Sequence, residues 1–596
     1  MARFRIHPAI GVARVGNSQD FFVGPEHPGI PANWDSASKS FKPFKDSKGR
    51  VLRQGALFRV FEFDASGNPT GEVTGNEGVS VTWHVHVANR KASFFAFNGQ
   101  RGNETDPPYA ARDRESPDAV EKEDRGRGQP GRTNRRNASV QDRRSLEIDP
   151  GEVSISRPGT VVLRDDQTAS PIKQLGEITL QPDGRLLFVG GRGESASFDG
   201  AKPIDEYASN DGWFDDMSDG SVRAVVTLPG SEPEEADPAW VIVGPPDFAP
   251  GIGNVVSLYD TLWDIAVQHG LPCEPGGDPL LTDLVSQQRI WQHASNTFAP
   301  DYQPSFTKHI YPILSRAVAA RDVHEPPDWR PSYHATVLDW SRLAKRDEHQ
   351  IRQAVFRRVR NPAGPLDREN MPRGLGDDYR TLEKFENGES AESPSPQSFL
   401  SLTPVQYALL KAWAEGHFVE DWAFGGVRYA PIPAPGPITP HGLDAAALEN
   451  CVGGPFYPGI EVSWLIRRPS LYERAFRLKA PGFPVGPLTF RAGFFSQQMA
   501  LPWHADFYDC HKEDHTPDGG PEPLIYMWWT AQRPDDVRAV PDGPYRRWVA
   551  PFDEFKDSGA SEADAVENLA RFEQMRTRWS ELSFIVLKDK THLEQK

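Results

Sequence analysis

The chain has 596 residues, 38% of them hydrophobic and 11% aromatic, so it can bury several cores and is too long for one ordinary domain. Its formal charge of −17, from 66 Lys+Arg against 83 Asp+Glu, argues against a nucleic-acid binder that coats phosphates with basic surface and favours small solutes as partners. Three cysteines, Cys273, Cys451 and Cys510, are too few and too far apart for a disulfide scaffold or a Cys-rich zinc site.

The opening MARFRIHPAIGVARVG lacks the basic start, apolar run and small-residue cleavage site of a secretory signal. No stretch approaches the roughly 20 uninterrupted apolar residues of a membrane helix. The expectation is a cytoplasmic protein with no membrane segment, with export by a route lacking a conventional signal left open.

Residues 1–245 read as a β-rich unit. FRIHPAIGVARV, ALFRVFEFDASG and GVSVTWHVHVAN alternate apolar and polar residues between Gly, Asn and Pro, the period-two signal of half-buried strands. His84 and His86 fall on one sheet face, where a polar face is favoured over a metal site. Residues 102–145 are dense in charge and nearly free of large apolar side chains, which predicts a surface excursion. Strands return at EVSISRPGTVVL, GEITLQPDGRLLFVGG, VRAVVTLPG and PAWVIVG.

Residues 246–420 change to helical spacing in VVSLYDTLWDIAVQHG, DPLLTDLVSQQRIWQHASN and TPVQYALLKAWAEGHF. TPVQ supplies a Thr cap with Gln three residues on. Residues 421–596, rich in Pro, Gly and Trp, read as a loop-rich catalytic region ending in a helix, SEADAVENLARFEQMRTRWSEL, and a strand, FIVL. The predicted class is α+β: a β-rich N-terminal unit, a helical middle and a loop-rich C-terminal region.

The segment LPWHADFYDCHKEDHTPDGG gathers His504, Asp506, Asp509, Cys510, His511, Asp514 and His515. A metal reading takes His504, Asp506, His511 and His515 as ligands. A thiol reading makes Cys510 a nucleophile activated by His511, and a third reading is a polar loop around one buried cysteine. Pro502, Pro517 and the Gly519–Gly520 pair favour a loop, where spacing says little about ligand geometry.

The same segment resembles the active-site signature of the cysteine tryptophylquinone-dependent amino acid oxidases, typified by lysine 6-oxidase and glycine oxidase. IHPAIGVARVGNS, NDGWFDDMSDGSV, LENCVGGPFYPGIEVSW, PWHADFYDC and WWTAQRP all look like this family, in its order. The resemblance implies a cofactor built from the sulfur of Cys510 and the indole of Trp529, which fits the pattern better than Trp528. It makes Asp506, four residues before the cysteine, the base.

A quinone carbonyl attacked by a primary amine places the amine's α-hydrogen beside an electron sink. The implied products are an oxoacid or aldehyde, ammonia and hydrogen peroxide, with O2 as acceptor and no metal. Cys451, His441 and His504 become candidate substrate-binding groups, although His504 stands where relatives often carry Gln. Phe214 stands where lysine-oxidising members look to carry Tyr and glycine-oxidising members Phe, which tilts the expected substrate to glycine, with lysine second. The resemblance also implies a flavoprotein that helps mature the tryptophan, and a homo-oligomer is compatible with it. A metal-dependent hydrolase or oxygenase, or a non-enzymatic β-rich binding protein, stand as alternatives.

Overall fold

The computed structural model describes residues 3–75, 78–94, 135–198, 200–205, 208–273, 276–321, 339–364, 401–425, 431–453, 462–485, 488–509, 536–538, 545–547, 570, 572–588 and 591–595. The strands that organise it are β1 (Phe4–His7), β2 (Ile10–Arg14), β3 (Arg53–Phe63), β4 (Ser80–Ala88), β5 (Val153–Ile155), β6 (Gly159–Arg164), β7 (Gln174–Leu180), β8 (Leu186–Gly190), β9 (Trp213–Asp215), β10 (Ser218–Thr227) and β11 (Ala239–Gly244). Nine strands run in the order β6-β7-β8-β3-β2-β11-β10-β4-β5 through a 13-stranded sheet. Along that path only β2 and β11 pair in parallel. β9 lies off this sheet, paired with Ser195–Ser197.

The centre of the sheet separates two cores. From β2 and β11, Ile10, Val12, Trp240 and Ile242 enter one core, while Ala13, Val241 and Val243 enter the other. Strands covered on both faces read as continuous apolar runs, which is how IGVAR and AWVIVG look. On β4 the alternation is clean: Val81, Trp83, Val85 and Val87 are buried, and the outward His84 and His86 bond Ser154 Oγ and Asp149 at 2.7 Å each.

The second core is closed by α1 (Leu258–His269), α2 (Pro279–Ile290), α3 (Pro404–Glu415) and α4 (Pro440–Glu449). Ser257 with Asp260, and Thr403 with Gln406, form reciprocal capping boxes, and left-handed Gly270 and Gly416 end α1 and α3. The α+β class, β-rich first and helical in the middle, is the architecture observed. Residues 102–134 of the charged excursion lie outside the described residues.

The expected loop at Pro502 is instead a helix, α5 (Trp503–Asp509). Proline is compatible with a helix start because its missing N–H is one that the first turn leaves unsatisfied anyway. The donor exposed at Trp503 N is answered from elsewhere in the chain, by Asp215 Oδ2 at 3.0 Å. Local sequence cannot display that partner. The region then ends as anticipated, with helical residues at 572–578 and a strand at Phe584–Lys588.

Candidate active site

Helix α5 is buried all round: Trp503, His504 and Asp506 are fully inaccessible, and Phe507 and Tyr508 nearly so. Such a helix must be held by its surroundings rather than by an amphipathic face. Asp215, at the end of β9, accepts from Trp503 N and from Lys91 Nζ at 2.7 Å, and Lys91 donates again to Ala500 O. Asn89 donates to Asp215 Oδ1 and to its carbonyl. Asp219 on β10 gathers Ser496 N and Oγ, Phe495 N and the Trp240 indole N–H. Burial still pushes its carboxyl up to about 6. Asn210 donates to Leu501 O from both backbone and side chain, and Arg136 to Ala208 O and Met499 O. Asp215 and Asp219 of NDGWFDDMSDGSV, with Asn210, thus form a socket for the chain leading into α5.

His504 sits on α5 with Nε2 donating to Gly193 O at 3.1 Å. Burial pushes the imidazole well below its usual pKa, so the ring is neutral and Nδ1 carries a lone pair. That Nδ1 and the Trp503 indole N–H are buried without a hydrogen-bond partner among the described residues. The two rings stack at 3.8 Å, with Trp579 edge-on to Trp503 at 5.6 Å. Gly193 has φ +72°, and a Cβ there would collide with the Trp579 ring, so glycine is required by both backbone and space.

Beyond Gly193, Asp216 lies on the loop formed by Arg192 and Glu194. Burial pushes its carboxyl up to about 7 against the hydrogen bonds that their backbone N–H groups donate.

Cys451 follows α4, with Sγ 3.5 Å from Ala447 O and 3.8 Å from Arg14 Nη2. Burial pushes the thiol up and Arg14 opposes this, so sulfur is held as S–H near neutral pH. Arg14 also donates to Pro245 O. Further along the same stretch of chain, the Phe248 ring lies 5.4 Å from Phe507 of α5. Cys451 therefore belongs to the second core.

His441, a candidate substrate-binding group, is buried in a helix. It lies in the first turn of α4, 4% exposed, bonded to Tyr259 Oη at 3.0 Å. Phe214 is buried, its ring edge-on to Phe198 at 4.9 Å. Cys510, His511, Asp514, His515, Trp528 and Trp529 lie outside the described residues. Sequence reasoning missed Lys91, Asp215, Asp219 and Arg14. The available signal was charge inside otherwise apolar strands, since buried charge is retained only with partners.

Residues 7–243 match the family model for the L-lysine epsilon oxidase N-terminal region, and residues 385–529 that for the L-lysine epsilon oxidase C-terminal domain. The chain belongs to this family of quinoprotein oxidoreductases, which use a protein-derived cysteine tryptophylquinone. It is 30% identical over 562 residues to L-lysine 6-oxidase of Marinomonas mediterranea, spanning 85% of this chain and 70% of that relative. A crystal structure of the Schiff base intermediate of L-Lys epsilon-oxidase from the same organism with L-Lys shares the fold, with a TM-score of 0.69 at 24% identity, covering 99% of this chain and 94% of that one. A second structure of that oxidase gives 0.68 at 23% identity, with the same coverage of 99% and 94%. The expected family, fold class and cofactor are those found. The preference for glycine finds no support in these relatives, which favour the lysine alternative.

Proposed function

We propose that this chain oxidises the side-chain amine of lysine with O2, releasing the aldehyde, ammonia and hydrogen peroxide. The observation that carries this reading is the 30% identity to a lysine 6-oxidase over most of the chain. Phe214 gives no counterweight: its ring packs edge-on against Phe198 inside a core, so exchange of phenol for phenyl there alters packing first.

In this reading Cys510 and Trp529 carry the quinone, which supplies an electrophilic carbonyl and an electron sink to the bound amine. The described residues fit a polar group beside α5, because the Trp503 indole N–H and His504 Nδ1 are a buried donor and acceptor left to be satisfied. Asp506, fully buried on the same helix, takes the proton from the carbon bearing the amine. Neutral His504 accepts a hydrogen bond at Nδ1 while its other nitrogen is fixed on Gly193. Trp503 and Trp579 pack on His504 and keep water from it. A flavoprotein partner matures the tryptophan.

Protein co-expressed with such a partner should yield Cys510 and Trp529 as one crosslinked peptide carrying two added oxygens, and should release peroxide fastest with lysine. Asp506→Ala should lose the visible chromophore or turnover by about 10²–10⁴-fold, the range of positioned acid–base catalysis. Separate unmodified peptides from active protein would remove the cofactor assignment. Glycine outpacing lysine at equal concentration would return the substrate to a small amino acid.

A further inference from the structure

A cavity lies away from α5, between the start of α4, β1 and the hairpin Tyr472–Leu478. It holds about 70 Å³, opens to solvent on one side, and is lined by His7, His441, Asp444, Asp278, Arg474 and Arg477, among others. Its guanidinium groups are unusually placed. Arg477 is 3% exposed, and its hydrogen bonds among the described residues all go to neutral groups: the carbonyls of Ile6, Asp237 and Pro238, and the ring of His7. Arg474 Nη2 bonds Asp237 at 2.7 Å, whereas its Nη1 is buried with no hydrogen-bond partner among the described residues. Leaving a charged donor unsatisfied is costly unless a ligand completes it.

The carboxylate that acts most strongly on Arg477 across the cavity, Asp444, is already engaged. It bonds His7 at 3.0 Å and Ala9 N at 2.6 Å, and lies 3.6 Å from His441. It therefore does not serve Arg474. Asp278, which caps α2 through Oδ1 on Leu280 N, stands on the same lining as the second acid.

We infer that this cavity is a non-catalytic site for a small carboxylate, with an α-amino acid the favoured form. The carboxylate completes the Arg474 and Arg477 wall, where planar guanidinium groups suit two oxygens. The ammonium faces Asp278. The inference goes beyond the oxidase reading and does not depend on which amine is oxidised.

The test is calorimetric titration of the full-length protein at constant ionic strength, with chloride as the balancing anion. Acetate and norleucine serve as probes, since neither carries a side-chain amine. Both should bind, norleucine more tightly. Arg474→Gln should weaken both at least tenfold, while Asp278→Asn, which keeps the helix cap, should weaken norleucine alone. Affinities for both probes within twofold of wild type in Arg474→Gln, or no binding by the wild type, would overturn the site. Should Arg474→Gln fail to fold, a crystal of the wild type grown with acetate decides: density beside Arg474 Nη1 supports the site, and its absence there refutes it.

Discussion

Beneath Trp503, buried carboxylates hold backbone amides; beside Pro440, buried guanidinium groups hold backbone carbonyls and keep a donor in reserve. In the first region Asp215 and Asp219 have their oxygens met by Lys91, Asn89, Trp240 and the amides of residues 495, 496 and 503. In the second, among the described residues, Arg477 meets only neutral acceptors and Arg474 Nη1 meets none. The difference teaches that buried charge in this protein stands in two settings. At Asp215 and Asp219 every oxygen is met and the charge fixes backbone, whereas at Arg474 one buried donor among the described residues is left unmet.

The contrast breaks most visibly at Asp215. Asp215→Asn leaves the Lys91 ammonium, wholly buried, without its carboxylate. Breaking one half of a buried pair costs about 3–5 kcal/mol, so the variant should lose thermal stability by that order and yield little matured protein. Lys91→Met added to it should recover part of the loss, measured by denaturant unfolding. Equal stability of Asp215→Asn and wild type would deny the socket its role.

Gly193→Ala comes next. The new Cβ must displace the Trp579 ring and hold a left-handed backbone, together about 1–3 kcal/mol. Melting should fall accordingly, and kcat should fall further than stability explains because Gly193 O fixes His504. A variant with wild-type kcat would show that the His504 contact is only structural.

Asp216 sharpens the comparison by pH. Its folded carboxyl is raised from 3.8 to about 7, so between those values the folded state binds a proton that the unfolded state has lost. Its contribution to stability is present below pH about 3.8 and is lost as pH rises toward 7, at up to about 1.4 kcal/mol per unit. Asp216→Asn, measured against wild type from pH about 5 to about 8, should gain relative stability with rising pH up to about 7 and then level off. A flat difference would place the titration elsewhere.

The smallest effect is expected at Phe214→Tyr. One hydroxyl on a ring packed against Phe198 should change the ratio of lysine to glycine turnover by less than about tenfold, or about 1.4 kcal/mol in barrier difference. A larger change would restore Phe214 as a pocket wall.

The strands, the helices α1 and α3, the capping box of α3 and the terminal strand were legible because their signals are local: alternation, helical spacing, Thr and Gln three apart. Helix α5 was not, since its start is capped by a residue 288 positions away and its faces are buried by distant parts of the chain. The setting of His441 was hidden for the same reason, since its partner, Tyr259, lies 182 positions earlier. The chemistry at Cys510 was visible only through family resemblance. Residue types there permit metal, thiol or structural roles alike, and Asp215 and Asp219, which lie inside a motif that carries the resemblance, were not singled out by it.

The strand Phe584–Lys588 carries a consequence for biogenesis. Ile585 N bonds Phe248 O at 2.8 Å, the Phe584 ring stacks on Phe44 at 4.7 Å, and Phe44 N donates to Gln595 at 3.0 Å. The ribosome must therefore have passed residue 595 before the layer around Phe248 and Phe507 can close. An N-terminal sheet emerging alone exposes Phe44 and Phe248, a sticky face that late sequence-distant contacts must cover. Any machinery that modifies a side chain near α5 thus meets either an open form or a finished one in which α5 is inaccessible to solvent.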